Sequence, residues 1–189
     1  MFSFFKKKTS PEEFGAGLFG IAAPRTPGIG DEELRTLGAT SVGEANLIRF
    51  ELCVLRTFAA EHLADQRLDK DAAQRAKEAL WLFLEEKAPW GMGDLARFRN
   101  GVTNYLDVEF VFSGLSEDTM DVGREAGKVF AMRCDRKLDP MAVLVGTMHY
   151  SMAYKIGVDF VKTVRIVDRA NARQAIAYQK EQQRKRKGL

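Results

Sequence analysis

Residues 139–167 read DPMAVLVGTMHYSMAYKIGVDFVKTVRIV, and this stretch decides the fold. Asp139 before Pro140 marks a helix start, because the carboxylate accepts from unpaired first-turn amides and the proline lacks an N–H where none is needed. Val145, Met148, Met152, Ile156, Phe160, Val164 and Val167 then step by three or four residues, one apolar stripe over about six turns. No proline follows, so a long C-terminal helix is expected. Met141, Val143, Leu144, Tyr150 and Val158 are apolar off the stripe as well, which predicts a central, buried helix. The β-branched content of residues 156–167 favours a strand instead, but alternation breaks at Phe160 and Val161.

Working outward, other helix starts repeat the pattern. Ser10 with Pro11 and Glu13, and Ser41 with Glu44, are capping boxes, in which serine and glutamate satisfy each other's backbone amides. Asp69 is a further cap. Ile48, Leu52, Leu55, Ala59 and Leu63 form one helical stripe, and Ala73, Ala76, Leu80, Phe83 and Leu84 another. Asp31 to Glu33 open a short helix that Gly38 stops. Residues 102–113 mix helical spacing with alternation, and helix is preferred because no segment offers a strand partner. Ser116 leads into a helix ending near Arg136.

The expected fold is therefore all-α, a single-domain bundle of six to seven helices over residues 1–189, with a long C-terminal helix. Residues 1–9 form a basic and aromatic tip, 24–30 a loop with two prolines and two glycines, and 180–189 a basic tail. The 46% hydrophobic and 29% charged content excludes intrinsic disorder. No transmembrane segment is expected, since His149, Lys155 and Asp159 interrupt the longest apolar run. Met1 to Phe5 precede Lys6 to Lys8, which reverses the order of a secretory signal, so the expected compartment is the cytoplasm.

Familiar catalytic patterns fail on inspection. Gly15, Gly17 and Gly20 match a dinucleotide-binding spacing but follow a helix start rather than a strand, and instead suit close helix packing. Gly123 to Lys128 is one residue short of a phosphate loop and lacks its hydroxyl residue. Ala59 and Gly146 stand where a di-iron bundle places the glutamates that precede His62 and His149. Met148, His149 and Met152 offer soft ligands, but methionines at helical spacing more often fill a core. Cys53 and Cys134 form no paired motif. No catalytic residue, metal or cofactor is assigned, and the pattern leans away from an enzyme.

Candidate residues remain of two kinds. Glu51, Glu109 and Asp159 are acids within apolar runs, each needing a positive partner or a cavity. Glu51 shares a helical face with His62, and these two with His149 form the candidate ligand-binding set. Lys6, Lys7 and Lys8, with Arg184, Lys185, Arg186 and Lys187, form the candidate anion-binding set. The net charge of +3 is uneven: residues 171–189 carry +5, Lys6 to Lys8 carry +3, and the intervening body −5.

Three functions are expected in order. The first is a non-enzymatic helical protein acting through protein–protein contacts, with a homo-oligomer through the Pro140 helix or an N-terminal arm as one form of it. The second is binding of nucleic acid or anionic membrane lipid through the basic ends. The third is a small-ligand binder or enzyme with its pocket near Glu51, His62 and His149.

Overall fold

Four of the helix starts read from the sequence are built as side-chain-capped termini, the one at Asp31 has no side-chain cap, and Ser116 lies outside the described residues. Ser10 and Ser41 each accept from the backbone of the glutamate three residues on, and Glu13 and Glu44 return the bond. Asp69 accepts from Ala72 N and Asp139 from Met141 N, both at 2.9 Å. A computed structural model describes residues 7–23, 29–87, 92–112, 119–136 and 139–167. In chain order these form β1 (Lys7–Thr9), α1 (Pro11–Ala22), α2 (Asp31–Thr36), α3 (Val42–Arg67), α4 (Lys70–Lys87), α5 (Met92–Phe112), α6 (Thr119–Arg133), α7 (Pro140–Thr163) and β2 (Val164–Ile166). The protein is an all-α helical bundle that, among the described residues, carries one two-stranded sheet. The ambiguous 102–113 segment is helical through Phe112.

Gly38 stops α2 at φ 71°, a left-handed conformation that glycine adopts without a Cβ clash. At the end of α6, Asp135 takes φ 56° and the amide of Arg136 turns back to Ala131 O at 2.8 Å.

The central helix is α3, not α7 as the apolar stripe predicted. From Val54 to Ala64 every residue of α3 is buried, and α1, α4, α5, α6 and α7 all pack on it. On α7 the buried face is Ala142, Val145, Gly146, His149, Tyr150, Ala153 and Gly157. Met148, Met152 and Ile156 of the predicted stripe are about half exposed, at 53%, 52% and 51%. Close packing explains the reversal. A Cβ on Gly127 of α6 would lie 2.4 Å from Val143 O, and one on Gly146 would lie 2.9 Å from Gly127 Cα. A Cβ on Gly157 would lie 2.3 Å from Leu63 Cδ2 of α3. Gly146 and Gly157 face inward because a larger side chain would block this approach, with Val145, His149 and Tyr150 buried beside them, and Met141, Leu144, Met148, Met152 and Ile156 are left on the outer side.

Helix α7 also ends earlier than its stripe. Val164 turns extended, and β2 pairs in parallel with β1 in the register Lys7–Val164, Lys8–Arg165, Thr9–Ile166. Strand thus appears within the β-branched 156–167 stretch only at residues 164–166, where the N-terminal segment supplies a partner, and residues up to Thr163 are helical. Among the described residues, no helix is long and apolar enough to cross a membrane.

Candidate functional site

Helix α3 buries Glu51, Arg56, Thr57, Glu61 and His62, an expensive set unless each finds a partner. Each does, and most of the partners come from other helices. Glu51 accepts from Arg133 of α6 at 2.5 and 3.1 Å and lies 3.6 Å from Arg97 of α5. Arg56 lies 2.9 Å from His149 Nδ1 of α7, and His149 Nε2 lies 3.3 Å from Glu33 of α2. Glu61 accepts from the Trp81 indole of α4 at 2.6 Å. His62 Nδ1 shares a 2.5 Å hydrogen bond with the Tyr150 hydroxyl of α7, and Thr57 donates to Cys53 O of its own helix.

The three candidate ligand residues are thus engaged within the bundle. His62 reaches Tyr150 and His149 reaches Arg56 at two levels of the α3–α7 contact, and Glu51 stands eleven residues before His62, about 16 Å along the axis. Burial raises the Glu51 carboxyl above its ordinary value, against the pull of Arg133 and Arg97. Burial lowers His62, and it lowers His149 with help from the Arg56 charge while Glu33 opposes. Burial pushes the Cys134 thiol up to about 12 and raises Cys53, so neither is an activated nucleophile. Among the described residues no three His, Cys, Asp or Glu side chains converge on a metal position. His149 points inward and Met148 and Met152 outward, so the soft-ligand trio does not share a face. Asp159 is exposed and paired with Lys162 at 2.8 Å, which corrects its reading as an acid in an apolar interior. The Glu109 side chain lies outside the described residues.

A groove of about 620 Å³ opens between α4 and α5, lined by Glu61, Glu78, Trp81, Glu85, Arg99 and Thr103 among others. Glu51, His62 and His149 do not line it. Arg99 already lies 5.1 Å above the Trp81 ring and pairs with Glu85, filling the position an incoming cation would take.

Two surface features carry more. On α7, Met141, Leu144, Met148, Met152 and Ile156 are each 43–53% exposed, and no charged residue lies between Pro140 and Tyr154. With each side chain offering on the order of 100 Å², the stripe presents roughly 500 Å², toward the top of the range for a monomer's largest apolar patch. Met132 of α6, 49% exposed, stands level with Met141 across the antiparallel α6–α7 contact. Sequence periodicity placed Met148, Met152 and Ile156 on the stripe expected to be buried, and Met141 and Leu144 off it; all five are exposed on one side of α7. The second feature is the sheet. Lys7, Lys8 and Arg165 are exposed, and β1–β2 pairing sets Lys8 beside Arg165. Lys6 and Arg184 to Lys187 lie outside the described residues.

Comparison of the chain with models of known protein families, with curated proteins and with solved structures yields no match.

Proposed function

We propose that this is a non-enzymatic helical protein that acts through protein–protein contact, with the exposed face of α7 as the contact and a second copy of the chain as the partner. The observation that carries the reading is the uncharged apolar stripe, five large side chains over about four turns left in water by a helix whose small residues face inward.

The spacing supports self-association. Leu144 and Met152 lie four residues either side of Met148, and Met141 and Ile156 lie seven and eight residues away. A two-fold axis through Met148 therefore sets Leu144 opposite Met152 of the second copy, and Met141 opposite Ile156, which is the self-complementarity a closed dimer requires. Antiparallel helices so arranged bring Asp139 at one end within a turn of Lys155 at the other. A standard interface takes about 800 Å² from each partner, somewhat over half of it apolar, and the stripe's roughly 500 Å² meets that need.

Met148→Cys tests the geometry. A cysteine on the axis faces its own copy, so mild oxidation yields a disulfide-linked dimer, while Met141→Cys, displaced from the axis, yields little. Equal cross-linking of the two variants, or none, contradicts the arrangement. The unsubstituted chain, with Cys53 half-buried and Cys134 buried, is the control.

A further inference from the structure

We propose that the β1–β2 sheet is the docking point of this protein on an anionic membrane surface, with lipid headgroup phosphates and carboxylates as the ligand.

The register places Lys8 directly beside Arg165. Strand side chains alternate faces, and the inward face is taken by Thr9 and Val164, 4% and 7% exposed, so Lys8 and Arg165 project together into solvent. Like charges at directly paired positions destabilise a sheet, and two three-residue strands have few hydrogen bonds to offset it. Among the described residues, no carboxylate forms an ion pair with Lys7, Lys8 or Arg165. An anion from outside the chain would supply the partner that the described residues do not.

The sequence adds basic charge around this sheet: Lys6 precedes β1, and residues 171–189, which carry +5, come after β2 in the chain. Residues 9–170 carry −5. A negative surface is felt only within about a Debye length, and the pairing sets Lys8 and Arg165 side by side, so both can act within that range. Membrane is favoured over nucleic acid because Met1, Phe2, Phe4 and Phe5 immediately precede the lysines: apolar and aromatic side chains beside basic ones suit the boundary between headgroups and acyl chains.

Co-sedimentation of the full chain with phosphatidylcholine vesicles, with and without about 30% phosphatidylserine, tests this. Binding to the anionic vesicles alone, lost as salt is raised, is expected. The informative variant is Lys8→Glu. It converts the repelling pair into a cross-strand ion pair with Arg165, so the sheet is kept while vesicle binding falls about tenfold or more. A structural role for Lys8 predicts no loss. Phe4→Ser with Phe5→Ser should weaken vesicle binding too. Equal binding to neutral vesicles, unaltered binding by Lys8→Glu, or tighter binding to duplex DNA with no effect of the phenylalanine changes would overturn the proposal. Dimerisation through α7 should be the same in Lys8→Glu, which separates this outcome from the fate of the α7 contact.

Discussion

Arg56 donates to His149 Nδ1 at 2.9 Å inside the bundle. A guanidinium has no acceptor, so the imidazole must be neutral at Nδ1 and carry its proton on Nε2, which then donates to Glu33 at 3.3 Å. One histidine thereby joins α7 to α3 and α2, and its protonation would set a second cation against Arg56.

Stability should fall on mild acidification. Both His62 and His149 are lowered in the folded state, chiefly by burial, so the unfolded chain binds more protons as the pH drops below the ordinary histidine value. The stability these groups contribute is fully present above that value and is lost as pH falls through their folded values. Asp65 near His62, and Glu33 near His149, limit the effect without reversing it. Glu51, raised rather than lowered, acts with the opposite sign around the carboxylate range. Urea denaturation from about pH 7 to about pH 5 should show a falling midpoint, and His149→Gln, which still accepts from Arg56 and donates to Glu33, should flatten the slope. An unchanged slope in that variant would assign the pH dependence elsewhere.

Removing one side of the Glu51–Arg133 pair should be costly. Glu51→Ala leaves the Arg133 guanidinium, only 17% exposed, without its two short bonds, and a loss of about 3 kcal/mol is expected from equilibrium unfolding. The double change to Met at 51 and 133 should recover much of it, because no uncompensated charge stays buried. A double variant as unstable as the single one would show that the charge is not what matters there.

Two glycine substitutions should move stability in opposite directions. At Gly127 an added Cβ meets backbone of α7, Val143 O at 2.4 Å and Thr147 N at 2.9 Å, so Gly127→Ala must part the helices and should cost about 1–3 kcal/mol. At Gly20 nothing lies within 4 Å, and Gly20→Ala should stabilise α1 by up to about 1 kcal/mol. Thermal unfolding of the two variants side by side checks the contrast.

What the sequence made legible follows from the range of the interactions involved. Caps are local, so Ser10, Ser41, Asp69 and Asp139 could be read from neighbours one to three residues away. Periodicity identified helices but could not orient α7, because both its faces are apolar and the deciding factor, the approach of Gly146 to Gly127, lies in another helix. Glu51 was visible as a buried acid by its apolar neighbours, while Arg133, eighty-two residues on, was not. Strand β2 lies inside the β-branched 156–167 stretch that the sequence flags, whereas β1 is not legible, because Lys7–Thr9 has no strand pattern of its own and is extended by its partner.

Sedimentation equilibrium of the full chain at tens of micromolar tests the central claim, association through α7, most directly. The expected result is a mass of twice the 21.2 kDa chain, returning to the single-chain value in Met148→Glu with Met152→Glu, both about half exposed and so tolerated by the fold. A single-chain mass for the unsubstituted protein throughout that range, or a dimer unaffected by the two glutamates, would contradict it.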